Sequence, residues 1–161
     1  MLFATHLVAA ALLGRWSRLS PLWVVVGAAV PDLVDKPLAI FGVVDLFHSV
    51  GHSGLLIVVA IPVALVSRTG RAAVIGWGSH LLLDAGHIIV NGRPNDALFL
   101  GWPLVVPADP LRLPPGMFFW HYLWTPSFFI EFLIWGALLV TLLGDWRAGR
   151  SLLGIGRDHD R

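Results

Sequence analysis

The chain has 161 residues, 57% hydrophobic and 13% charged, with a mean hydropathy of +0.78 and a formal net charge of +1. So apolar a chain has too little polar sequence to coat a water-soluble globule, and its basic residues, scattered over loops rather than gathered in a stripe, argue against nucleic acid as a partner. Cysteine is absent, which excludes disulfides and thiolate metal sites and leaves His, Asp and Glu as the available ligands.

Residues 1–14 form an apolar segment with no Lys or Arg ahead of it and no small-residue cleavage pattern, read as a retained helix. After Arg15 and Arg18, Ser20-Pro21 opens a second helix as N-cap and first-turn proline, expected to run to Val30. Pro31-Asp32-Leu33-Val34-Asp35-Lys36-Pro37 is bounded by prolines and is expected to break that helix, leaving two carboxylates at its end. Residues 38–47 suit a short interfacial helix, and His48-Ser49-Val50-Gly51-His52-Ser53 leads into an apolar helix over 54–66 that Pro62 should kink. Residues 67–71 read as a tight basic turn.

The next apolar run, 72–90, is long enough to cross most of a bilayer. Within it stands G-W-G-S-H-L-L-L-D-A-G-H, in which His80 and Asp84 share one helix face and His87 lies a turn further on. Leu82, about 200° from His80 around the helix, should face away from them. Ionisable groups in such a run are costly in lipid and mark a functional site. Residues 91–116, rich in Pro and Gly, read as a functional flap on the membrane. The last apolar run, 117–143, carries His121 near its start and Glu131 in its interior. The expected fold is an all-α integral membrane bundle of about four to five membrane-embedded helices, with a membrane-embedded metal-site domain over 1–146 and a polar cytoplasmic tail over 147–161.

Cytoplasmic loops hold the excess of Arg and Lys. Arg15/Arg18, Arg68/Arg71 and Arg147/Arg150/Arg157 follow the first, third and fifth apolar segments, which assigns these places inside and the 31–36 break, the 47–53 turn and the 91–116 flap outside. Under that topology His6, Asp32, Asp35, His48, His52, Asp84 and His87 converge on the outer half of the bilayer; counted from Arg71 at ~1.5 Å per residue, Asp84 lies roughly 20 Å along its helix. Singly, each has a plain structural explanation: a core position for His6, a helix cap for Asp32, a partner in Lys36 for Asp35, an aromatic belt for His121. Their shared depth is what points to a site. Such a set of His and Asp suits a hard or borderline divalent metal, Zn²⁺ or else Mn²⁺, and suffices for two ions with a bridging carboxylate.

P-D-L-V-D at 31–35, His52-Ser53 and G-W-G-S-H-L-L-L-D at 76–84, with Thr5-His6 before them and Trp102-Pro103 after, resemble the ordered motifs of the YdjM-like inner-membrane metal-dependent hydrolase family. The resemblance covers residues 1–105. It departs at 48–53, where the family shows H-R-G-x-T-H-S and this chain has one residue fewer between the two histidines and neither the Arg nor the Thr; His52 carries over more firmly than His48. More remotely, the order His, Asp, His, H-x-x-x-D is similar to the zinc-dependent phospholipase C group, and by that likeness Asp84 is the bridge and His6, Asp32, His52 and His80 are terminal metal ligands.

The function so implied is a membrane-bound metal-dependent hydrolase, a phosphoesterase acting on a lipid or lipid-linked substrate at the non-cytoplasmic face of the cell membrane. Asp35 is then the expected acceptor of the water proton, Lys36 or Arg93 the holder of a phosphate, and the 91–116 flap an entry for an acyl chain. His48, His87, His121 and Glu131 are further candidates for the site. A membrane protein that binds or transports a metal without catalysis would use the same ligands but needs polar groups along a path to the cytoplasmic side, and haem held between two histidines is a third alternative.

Overall fold

The computed structural model describes residues 1–107 and 113–148. Arg112, Arg150, Arg157 and most of the expected tail lie outside them. The described residues are all-helical, with no strand: α1 (Phe3–Trp16), α2 (Pro21–Ile40), α3 (Gly54–Val66), α4 (Arg68–Val90), a 3-10 segment (Pro94–Gly101), α5 (Pro115–Tyr122) and α6 (Pro126–Arg147). Two of these, α4 with 23 residues and α6 with 22, are long and apolar enough to cross a membrane. At 13 residues α3 spans only ~20 Å.

α2 begins as expected, with Ser20 at the N-cap and Pro21 in the first turn, but it does not stop at Val30. It runs through Pro31 and Pro37 to Ile40, so the expected break and interfacial helix are corrected to one long helix. Proline accepts helical φ and forfeits one backbone hydrogen bond, and the helix continues because its second half is held between the 48–52 loop and α4. Gly51 folds back onto this stretch so closely that a Cβ there would stand 2.7 Å from the Pro31 carbonyl oxygen.

The 67–71 turn is likewise shorter than expected. Ser67 alone joins α3 to α4 and accepts the Gly70 N–H at 3.1 Å, so Arg68 and Arg71 belong to the first turn of α4. The run 117–143 is two helices rather than one: the chain breaks at Trp124, which has φ +68°, and restarts with Thr125 as N-cap and Pro126 behind it. Part of the expected flap is core, since Phe99 of the 3-10 segment is buried with Leu81 and Ala85 of α4.

α2 and α4 make the most extensive helix pair. They meet through small residues: Ala28 and Ala72 are buried together with Ala10 and Val24, and a Cβ on Gly27 or Gly76 would collide with the backbone of Ala73 or Val24 respectively. Helices packed this closely in an apolar setting gain dispersion contact that larger side chains would forbid. The crossing brings Asp32 and Asp35 of α2 to the same end of the bundle as His80, Asp84 and His87 of α4. α6 is built in the opposite sense. Its only buried residues are Ser127, Glu131 and Asp145, all polar, and its apolar side chains face outward.

Candidate metal centre

Four pieces of chain deliver the centre. His6 comes from the first turns of α1, Asp32 and Asp35 from the second half of α2, His48 and His52 from the loop after it, and His80, Asp84 and His87 from successive turns of α4. The 48–52 loop is shaped by Asp35. Its carboxylate accepts the N–H groups of Ser49 (2.7 Å), Gly51 (2.7 Å) and His52 (3.1 Å) and pairs with His52 Nδ1 at 2.8 Å. Trp77 of α4 donates its indole N–H to the Gly51 carbonyl at 2.6 Å, and the Ser53 hydroxyl donates to the Trp102 carbonyl at 2.6 Å.

Asp84 is the hub. Its Oδ1 lies 3.0 Å from His6 Nε2 and 3.2 Å from His87 Nδ1, while its Oδ2 lies 3.1 Å from His80 Nε2, 3.3 Å from His52 Nε2 and 3.7 Å from His48 Nε2. Asp32 Oδ1 stands 3.5 Å from His52 Nε2 and 3.9 Å from His80 Nε2. Asp84 Oδ1 is also 3.1 Å from the Met1 nitrogen. Three groups, His6/His80/Asp84, Asp32/His52/His80 and His48/His52/Asp84, have ligand atoms close enough together to hold a metal ion. His6, Asp32, His52, His80 and Asp84 are buried, whereas His48 is partly exposed.

The donor set fits a divalent cation. Ligands about 2.0–2.1 Å from a tetrahedral zinc are about 3.3 Å apart along the tetrahedron edge, close to most of the spacings above. The chemistry of His52 makes the same demand. With Nδ1 donating to Asp35, a neutral His52 would turn its Nε2 lone pair toward Asp32 and Asp84 oxygens, acceptor to acceptor, unless a proton or a cation stands between them. Burial opposes a charge on this loop residue, yet hydrogen bonds to Asp32, Asp35 and Asp84 outweigh it and raise the His52 pKa to about 10. The carboxylates thus favour positive charge at this point of the cluster. Asp35 completes the carboxylate–histidine arrangement that commonly orients a metal-binding imidazole.

Beside the centre lies a cavity of about 370 Å³, at the small end of the ligand-pocket range. Asp32, Asp84, His48 and His87 reach it from the centre, and Leu46, Phe47, Ile88, Phe99, Phe118 and Tyr122 give it apolar walls. Lys36 lines it while paired with Asp32 at 2.6 Å, and Arg93 lines it while paired with Asp96 at 2.7 Å. His121 is exposed on α5 and borders this cavity without joining the metal groups.

The sequence-level ligands His6, Asp32, His52, His80 and Asp84 are all brought together, with His48 and His87 at the edge. Leu82 faces outward at 73% exposure, as its angle from His80 requires. Two expected roles change place. Asp35, expected to take a water proton, has both oxygens committed to the 49–52 loop. Glu131 is in none of the metal groups and accepts hydrogen bonds from the Leu2 N–H and the Thr5 hydroxyl instead. Thr5 and Trp77, whose side chains tie α1 and the 48–52 loop in place, lie inside the Thr5-His6 and G-W-G-S-H motifs, and that membership is the sequence signal for them; Tyr122, buried at the cavity wall, carries none. Comparison with protein-family models, curated proteins and solved structures returns no match.

Proposed function

We propose that the chain is an integral membrane metal-dependent hydrolase with four or five of its helices embedded in the bilayer, cleaving a phosphoester of a lipid or lipid-linked substrate. The observation that carries this reading is the place of Asp84 in two of the three candidate groups, with His6 and His80 in one and His48 and His52 in the other, an arrangement suited to two bridged ions. The motif likeness to the YdjM-like family supports the same assignment. When bound, divalent zinc or manganese supplies Lewis acidity toward phosphoryl oxygen and an acidified water. The protein's own residues do the rest: Asp35 and its loop hold the His52 ring in register, Lys36 and Arg93 bring cationic charge to the cavity for an anionic head group, and the aromatic walls exclude water and accept an apolar chain.

Transport is the weaker reading. Away from the centre, Ala10, Val24, Ala28 and Ala72 pack as an apolar cluster between α1, α2 and α4, which offers an ion no ligand there.

Metal analysis of protein purified in detergent, followed by phosphoesterase screening with and without chelator, tests the proposal. Bound zinc or manganese with chelator-sensitive, metal-restored activity is expected; a chain that purifies without metal and takes none up rules it out.

The proposed orientation puts the centre on the non-cytoplasmic side. It is supported by the basic residues Arg15, Arg68, Arg71 and Arg147 at helix ends away from the ligands. Single cysteines at Asp45 and Asp96 should react with an impermeant maleimide added outside intact cells, while one at the exposed Thr69 should not. Labelling at Thr69 alone would invert the topology.

A further inference from the structure

The buried polar residues of α6 each meet the bundle through a polar tie. Ser127 and Asn91 at the end of α4 bond reciprocally at 2.8 and 3.0 Å, Asp145 accepts from Arg15, and Glu131 reaches the start of α1. The Glu131 tie is double. Oε1 accepts the Leu2 N–H at 2.8 Å and Oε2 accepts the Thr5 hydroxyl at 2.6 Å, while the indole N–H of Trp135 donates to the same Thr5 oxygen at 3.2 Å. Leu2, the N-cap residue of α1, supplies no side-chain cap of its own. The first amides of a helix need acceptors from elsewhere, and the positive end of its dipole favours a carboxylate.

The next residue after Thr5 is His6, whose Nε2 lies 3.0 Å from Asp84 Oδ1. His6 is the one histidine that α1 supplies to the metal groups, so its place depends on how the first turns of α1 are held. The geometry points to Glu131 as a positioning residue of the metal centre: it clamps α1 at Leu2 and Thr5 and so sets the depth and rotation at which His6 meets Asp84. A buried carboxylate on an otherwise outward-facing apolar helix is costly in lipid, and this clamp is what retains it. The inference rests on the metal centre proposed above and gives that centre a residue from a helix that contributes no ligand.

The test uses the full chain in detergent. Zinc affinity is measured by competition with a chromophoric chelator, and the visible spectrum after Co²⁺ replacement reports the ligand field. Glu131→Leu, which removes both acceptors, should bind zinc up to roughly 10-fold more weakly, the low end of what loss of a directly bonded partner costs, and should shift the cobalt spectrum in the direction seen for His6→Ala. Because both changes act through one ligand, the double variant should lose little beyond His6→Ala alone. Asp145→Asn, which cuts the α1–α6 tie at the far end, should leave affinity and spectrum unchanged. If Glu131→Leu fails to fold, Thr5→Val removes one arm of the clamp and should show the same shift to a smaller degree. Wild-type affinity and spectrum in whichever of the two folds, or losses that simply add in the double variant, would overturn the positioning role while leaving the centre standing. A wild-type chain that binds no metal overturns both.

Discussion

Asp84→Asn should lose nearly all bound metal and, with it, the hydrolytic activity proposed above, the largest effect of any single substitution in the centre. The carboxylate is the one group that faces both histidine sets, and the amide that replaces it carries no charge and turns an N–H₂ toward one of them. A drop in metal affinity well beyond roughly 100-fold is expected, since 10- to 100-fold is already the cost of removing an outer partner. Asp35→Asn supplies that smaller standard: it leaves every proposed ligand present but loosens the 49–52 loop and the His52 ring. Leu82→Ala, on the outward face of the same helix, should leave metal content unchanged. Equal metal content in wild type and Asp84→Asn, measured on protein that is monodisperse in detergent, would refute the hub.

The clustering of His80 with Asp84 is legible from a short-range rule, since the two are one helical turn apart. That His6, Asp32 and His52 join them, as the structure has it, is implied by the motif likeness rather than by any local spacing. What escaped depended on partners distant in sequence. Pro31 and Pro37 carry strong local signals for a break, yet α2 continues through them because its second half is packed under the 48–52 loop and against α4. Asp35 looks like a spare carboxylate until the loop folds back and takes up both of its oxygens. Glu131 belongs to no spacing at all, since its partners lie 126 and 129 residues away. The α5–α6 break was within reach: Thr125-Pro126 is the same N-cap and first-turn proline pattern that was used at Ser20-Pro21.

Gly76→Ala should disable the centre without touching a ligand. Gly76 lies in α4 one turn before His80, and a Cβ there runs into the Val24 backbone of α2. Backbone cannot rotate aside as a side-chain end can, so the two helices must separate, at a cost of about 3 kcal/mol or more, the upper range for overpacking a tight contact. Separation acts directly on the chemistry, because α2 carries Asp32 and α4 carries His80 and Asp84, and His80 Nε2 already stands 3.9 Å from Asp32 Oδ1. Gly27→Ala, on the opposite side of the crossing against Ala73, should behave alike. Gly86 provides the contrast. It lies in the same helix, and a Cβ there meets nothing within 4 Å, so Gly86→Ala should gain up to about 1 kcal/mol from helix propensity and keep its metal. Thermal unfolding in detergent and zinc content, measured on the three variants together, decide the matter. Gly76→Ala with wild-type stability and full metal would mean that the close crossing of α2 and α4 does not set the spacing of the ligands.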